Sequence, residues 1–498
     1  MQLTPSDIYT HYRPSKCDLR TYLQAQGLVS AVASPYAEVL KRLGQRHERK
    51  HLESFSEVEN LSEVHDTDEL LEKTRAGVAG GLPIIYQPLL RATLRISGVD
   101  CEVSGRPDFL IKDDLGYRIR DSKMSRRITE KDHPEIILQM ACYGWLFERV
   151  FQTPAYALEV HRGSGDVVPV IYNGPDAVID ALREIVLIRK LEAEPFSPVG
   201  VSKCGGCGFH DYCWPRAQEA RSVALVIDVD QGLAITLHEM GVRTMDQLIE
   251  RFDEETLTEL KGLKGTKLVR VGSKAGAILR NAKALASGEE LLLTKPNIPI
   301  AENYVMFDLE GLPPQLDELQ KIYLWGMQVF GMNPSDYVAS TAGFGVNGDR
   351  EGWENFLANA ARIFEIYGNV RFVHWASYEK TLLKLYVNRF GDDTGTAARV
   401  FENLLDLLQI TEDSIVLPLP SYSLKIIEKH IGFERTQDEY GGNWSMAKYI
   451  GATETEDEAT REQVMDAIRT YNREDLEATW AVLQWLKTRG ANAEPVSN

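Results

Sequence analysis

The sequence predicts a multidomain α/β protein in three parts, and three observations carry that prediction. At 498 residues the chain is long enough for about three domains of ordinary size, each with its own core. Residues 1–218 and 300–490 mix strand-like alternation with helical periodicity, whereas 222–290 reads as a small, all-helical block between them. In the last part the strands come first and helices then alternate with a further strand, which predicts a mixed sheet with an antiparallel start. The formal charge of −18 opposes a general attraction to polyanions. No apolar run approaches the roughly 20 residues that span a bilayer, and Met-Gln-Leu-Thr-Pro lacks a secretory pattern. A soluble cytoplasmic protein with no membrane partner is therefore expected.

In the first part, helices are expected over 36–53 and 134–151, and strands over 104–111, 117–123 and 155–161. The stretch "SGRPDFLIKDDLGYRIRDSKM", 104–124, reads as two strands and a turn. Alternate residues on a strand share a face, so Asp121 and Lys123 point one way and the hairpin brings Asp108 alongside. Converging carboxylates are tolerable where a cation lies between them, and a hard-oxygen pair suits Mg2+ or Mn2+. In the helix "EIILQMACYGWLFERVF", Gln139 and Tyr143 at i,i+4 share a face that is otherwise apolar. "HERKH", 47–51, also fits the H-E-x-x-H of zinc proteases, but nothing downstream supplies a third ligand. Of six cysteines, Cys204, Cys207 and Cys213 form C-x2-C-x5-C with Cys17 far upstream, a pattern of metal ligands rather than disulfides. Four thiolates suit either Zn2+ or an iron–sulfur cluster, and spacing does not choose between them. Cys101 and Cys142 read as core residues.

Together, His47, Asp108 in "GRPD", "DSK" at 121–123 and Q-x3-Y at 139–143 resemble the RecB-like branch of the PD-(D/E)XK nucleases. The resemblance implies that His47, Asp108 and Asp121 bind Mg2+ or Mn2+, that Lys123 is the catalytic lysine, and that Gln139 and Tyr143 serve the site. Asp121 stands where many relatives carry Glu. The four cysteines resemble those of the iron–sulfur members of this branch. That resemblance implies a [4Fe-4S] cluster in preference to zinc, pinning the start of the chain to the end of the domain.

The middle stretch holds "LHEMGVRTMDQLIE" and then 261–283, which carries seven Lys or Arg and no acid. It resembles tandem helix–hairpin–helix modules. That likeness implies backbone N–H groups presented to phosphates, with Lys261, Lys264, Lys267 and Lys274 as the cationic surroundings. A solvated basic face is the plain alternative. "LLLTKPNIPIAEN", 291–303, reads as a linker.

In the last part "VMFDLEG" places Asp308 and Glu310 on one strand face. Glu379 lies where the strand "VRFVHWAS" runs into a helix, and Tyr471 and Asp475 sit at i,i+4 on a late helix. Four such carboxylates suit a pair of Mg2+ ions about 4 Å apart. The order resembles the DEDD exonucleases of the ribonuclease H-like fold, the YprB-like group most closely. This implies Asp308, Glu310, Glu379 and Asp475 as the metal quartet and Tyr471 as the residue that orients the attacking water. Glu379 stands where Asp is usual, and Asp406 in "NLLDLL" ranks below the quartet. "GFGVNG", 343–348, matches G-x-G-x-x-G without a parallel βαβ context and reads as a loop.

The expected function is a metal-dependent nuclease with two active sites, acting exonucleolytically on single-stranded or frayed DNA, or on RNA. No Walker A pattern is present, so unwinding is expected from a separate helicase. The competing expectation is a non-catalytic or single-site scaffold that binds nucleic acid and partners that helicase.

Overall fold

The computed structural model describes residues 1–28, 30, 34–125, 127–264, 267–313, 320–344, 348–438 and 440–491. They form two compact units, Met1–Pro215 and Arg216–Asn498, so the middle stretch belongs with the last part.

The strands of the first unit are β1 (Gln2–Leu3), β2 (Glu59–Asn60), β3 (Ile84–Tyr86), β4 (Leu90–Ile96), β5 (Val99–Gly105), β6 (Phe109–Asp113), β7 (Gly116–Lys123), β8 (Ala157–Arg162) and β9 (Val167–Val170). A six-stranded sheet runs β2-β3-β6-β7-β8-β9, and a smaller one runs β1-β5-β4. The expected strand over 104–111 is thus two strands in different sheets. Pro107 between them has no N–H for a ladder, so pairing stops at Gly105 and resumes at Phe109. The helices expected at 36–53 and 134–151 are Pro35–Leu52 and Pro134–Phe151, each with proline in its first turn. The second is almost wholly buried; its Ile136, Met140, Leu146 and Phe147 share one core with Leu110 and Ile119 of the hairpin. Cys101 and Cys142 lie in that core, as expected.

In the second unit the middle stretch carries the helices Gln231–Glu239, Met245–Arg251, Glu254–Glu259 and Ala275–Ser287. It is not all-helical. An antiparallel hairpin of β10 (Lys261–Lys264) and β11 (Lys267–Arg270) interrupts it. Lysine at every third position from 261 imitates a helix face, whereas the backbone there lies flat on a helix. A Cβ on Gly232 would meet the Leu263 carbonyl oxygen at 1.5 Å, and one on Gly262 would lie 3.1 Å from the Leu233 Cα. The expected linker is partly ordered, because β12 (Leu291–Leu292) pairs with β18 (Ile415–Val416).

A five-stranded sheet follows, built from β13 (Asn303–Leu312), β14 (Lys321–Gly331), β15 (Val338–Thr341), β16 (Arg371–His374) and β17 (Leu404–Asp406) in the order β15-β14-β13-β16-β17. The first three pair antiparallel, and β16 and β17 add parallel to β13, giving the mixed sheet expected. Central β13 alternates between two cores. Val305, Phe307 and Leu309 face one, while Tyr304 and Met306 face another that includes Leu476, Val482 and Leu486 of the long helix Glu458–Ala491. By the same period, Asp308 and Glu310 continue the second face, toward that helix. Residues 345–347 of "GFGVNG" and 492–498 of the expected frayed end lie outside the described residues. Among the described residues no helix is long and apolar enough to cross a membrane.

Candidate active sites

The β6–β7 register sets Phe109 opposite Arg120, so Asp108 falls beside Asp121 as the hairpin reading requires. The Asp108 N–H donates to Asp121 Oδ1 at 3.2 Å, and Asp108 Oδ2 accepts from the Ser122 N–H at 2.6 Å. Lys123 Nζ lies 2.5 Å from Asp121 Oδ2. Burial, then Asp121 and Glu48, push the Asp108 carboxyl well above its usual range. Burial works against the Lys123 ammonium, but Asp121 and Asp108 outweigh it and raise its pKa. Gln139 Nε2 reaches the Tyr143 hydroxyl at 3.4 Å, and that hydroxyl donates to the Arg106 carbonyl at 3.3 Å. Burial first, then Asp121 and Asp108, raise the Tyr143 phenol, so the i,i+4 pair does border the acids.

His47 is held elsewhere. Its Nε2 is 3.2 Å from the His161 carbonyl oxygen and its ring stacks on His161 with centroids 4.4 Å apart. It does not join Asp108 and Asp121 in a group of three close ligand atoms. His51 stacks on the same ring at 3.8 Å. Burial, then neighbouring His161 and Arg120, lower the His51 pKa to about 3; burial, then His47 and Arg120, lower that of His161 to about 4. "HERKH" thus contributes His47 and His51 to an imidazole stack on His161, with no third metal donor among the described residues. The sequence reading missed Glu48 and Gln87. Glu48 accepts from Tyr86 Oη at 2.8 Å and from Gln87 Nε2 at 2.9 Å, and Gln87 Nε2 also lies 3.2 Å from Asp108 Oδ1. Glu48's place beside His47 on one helix was the only available signal.

Cys17, Cys204, Cys207 and Cys213 all line one small cavity, with no disulfide among them. Burial, then the other three thiols, push Cys213 up to about 12. The four sulfurs do not draw together as a group of close ligand atoms. On the β10–β11 hairpin Lys261, Lys264 and Lys267 are exposed, with Lys264 directly opposite Lys267. Lys274 instead pairs with Asp228 at 2.5 Å.

In the second unit, ligand oxygens of Asp308, Glu310 and Asp475 lie within 4.8 Å of one another. Asp308 Oδ2 accepts from Asn472 Nδ2 at 2.6 Å, and Asn472 Oδ1 accepts from Tyr337 Oη at 2.9 Å. Gly326, opposite Asp308 in β14, makes this approach possible: a Cβ there would lie 1.7 Å from Asn472 Oδ1. Glu310 Oε2 accepts from Tyr323 Oη at 3.3 Å. Burial, then Asp475, Glu310 and Glu379, hold the Asp308 carboxyl well above its usual range, and burial, then Asp475, raise Glu310 to about 8.

Asp475 is ion-paired to Lys425 and Arg435, and Arg435 also bonds Glu428 at 2.7 Å. Lys425 Nζ sits 4.5 Å from the centre of the buried Tyr471 ring. Glu379 stays one step back. Its Oε2 is 3.3 Å from His374 Nδ1, and burial is the main cause of its raised pKa. Asp406 caps the helix Leu407–Ser414 through the Gln409 N–H at 3.1 Å. Lys425, Arg435 and Asn472 escaped the sequence reading; of these only Asn472, beside Tyr471, stood next to a predicted position.

Residues 11–214 match the model of the PD-(D/E)XK nuclease superfamily, and residues 305–487 match that of the RNase_H superfamily. The chain therefore carries one domain of each, and both support a nuclease with nucleic acid as substrate. No curated protein matches the chain. Among solved structures, "Crystal structure of SSO0001" is similar at 14% identity over 43% of this chain and 85% of its own, with a TM-score of 0.24.

Proposed function

We propose that the chain is a divalent-metal-dependent nuclease with two separate active sites, degrading single-stranded or frayed DNA from its ends. The observation that carries this reading is the convergence of Asp308, Glu310 and Asp475 within 4.8 Å. Three buried or half-buried carboxylates repel one another unless a cation joins them, and their all-oxygen donor set fits Mg2+ or Mn2+. Such an ion supplies charge stabilisation at the scissile phosphate. Glu379 is the fourth acid of the set, and Tyr471 is the group that orients the attacking water. Lys425 lies beside Tyr471 and offsets charge that develops on the phosphate. In the first domain Asp108 and Asp121 are the ligands, His47 joins them only on leaving the His161 carbonyl, Lys123 is the catalytic lysine, and Gln139 and Tyr143 border the acids.

The cavity shared by Cys17, Cys204, Cys207 and Cys213 holds a [4Fe-4S] cluster in this reading. Four thiolates suit either Zn2+ or an iron–sulfur cluster, and the resemblance of the cysteine pattern is what favours the cluster. The middle stretch acts as a helix–hairpin–helix clamp in which Lys261, Lys264, Lys267 and Lys274 meet backbone phosphates. Duplex unwinding is left to a separate helicase. A second reading, in which only the last domain cleaves, draws on the engagement of His47 by the His161 carbonyl.

The deciding test is digestion of single- and double-stranded DNA and RNA by the wild type and by Lys123→Ala and Asp308→Ala, with Mg2+ or Mn2+. Two sites require each variant to lose a different activity. The single-site reading requires loss in Asp308→Ala alone, and unchanged digestion by both variants refutes the assignments. Iron and sulfide analysis of anaerobically purified protein tests the cluster.

A further inference from the structure

Away from the nuclease acids, three side chains of the first unit converge on a point to which the nuclease reading assigns nothing. His11, in the helix Pro5–Tyr12, is 0% exposed. Its Nδ1 lies 2.8 Å from Thr21 Oγ1, while its Nε2 is buried with no hydrogen-bond partner. That nitrogen faces Glu184 Oε2 at 3.7 Å and Asp18 Oδ1 at 4.0 Å, both too long for hydrogen bonds. Donor atoms of all three residues lie within 4.8 Å of one another.

The tautomer with its proton on Nδ1 leaves Nε2 free to act as a ligand. The Thr21 hydroxyl donates to the Cys17 carbonyl at 3.5 Å, which leaves its oxygen to accept from an Nδ1–H. Nε2 then directs a lone pair at two carboxylates. The buried nitrogen has no partner in that form, and a cation shared with the two partly exposed carboxylates would supply one. Lys16 Nζ is 2.5 Å from Glu184, but on Oε1, and Oε2 is the oxygen turned toward His11. A ligating histidine whose other N–H is held by an acceptor is the usual arrangement around a metal.

We propose that His11 Nε2, Asp18 and Glu184 bind a divalent transition-metal ion. One imidazole and two carboxylates suit Zn2+, with water completing the tetrahedron. The ion has a structural consequence. Asp18 opens the helix Asp18–Ala25 directly after Cys17, the Cys17 N–H donates to the His11 carbonyl at 3.1 Å, and Glu184 lies in the helix Asp176–Arg189. Binding fastens the segment that carries Cys17 to a helix more than 150 positions later in the chain, without involving either set of nuclease acids.

The test counts Zn2+ retained by the full-length protein after gel filtration, alongside calorimetric titration with zinc chloride. Asp18→Asn and Glu184→Gln are each expected to lose one equivalent relative to wild type, together with part of the zinc-dependent rise in Tm. The cysteines and nuclease acids are unchanged in these variants, so the difference isolates this site. Asp18 is 41% exposed, so its amide variant folds even if a change at His11 does not. Lys16→Gln removes a competing ammonium and is expected to tighten zinc by about two- to fivefold, the weight of a partly exposed ion pair. Equal zinc stoichiometry in wild type and both carboxylate variants overturns the proposal, as does weaker zinc binding by Lys16→Gln.

Discussion

In the first unit the cation beside the paired acids is Lys123, two positions from Asp121 on one strand and 2.5 Å from it in space. In the second, Asp308, Glu310 and Asp475 are faced by Lys425 and Arg435, which lie 50 and 40 positions from Asp475 in sequence. The hairpin closes a short loop, so its acids and their compensating charge arrive together at little entropic cost. The other site assembles only after a strand, a short helix, a loop and the long helix have packed. Burial first, then Asp475, push Glu310 there up to about 8.

The strongest way to break this comparison is to remove one key group from each pocket. Asp308→Ala and Lys123→Ala should each lower the activity of their own site by about 10²–10³-fold, the scale for one preorganised electrostatic group, in steady-state digestion assays. Loss of both activities in either variant would merge the two sites into one. Next comes Arg435→Met. Arg435 is 3% exposed among Glu428, Glu474 and Asp475, and leaving those carboxylates uncompensated should cost about 3–5 kcal/mol in denaturant unfolding.

A subtler difference concerns pH. The folded Glu310 pKa of about 8 exceeds its ordinary value of 4.5, so the folded state keeps a proton that the unfolded chain releases. The stability this group contributes is complete below pH 4.5 and is lost as pH rises toward 8. In EDTA, the Tm of the second unit should therefore fall across that window, and Mg2+ should flatten the fall. The smallest effect belongs to the hairpin. Lys264→Gln should reduce the salt slope of DNA affinity by about 0.7–0.9, measured by fluorescence anisotropy against salt concentration.

Much of the first site was readable because its parts are local. A period of two put Asp121 and Lys123 on one face, and a short turn placed Asp108 beside them. Helices Pro35–Leu52 and Pro134–Phe151 fell within a residue of expectation because proline and apolar spacing mark them. The hairpin at Lys261–Arg270 was misread, since lysines at every third position fit a helix and the close backbone contact of Gly262 leaves no periodic trace.

By itself, the sequence determined which acids could share a face, since strand and helix periods act over a few residues and follow from covalent geometry. Tertiary structure alone decided which sequence-distant groups meet those acids. It drew Lys425, Arg435 and Asn472 to the second pocket, and it turned His47 toward His161 instead of Asp108. The physical reason is range. Charge compensation in a buried pocket acts through space over a few ångströms, and chain separation carries no record of which distant residues packing will bring there.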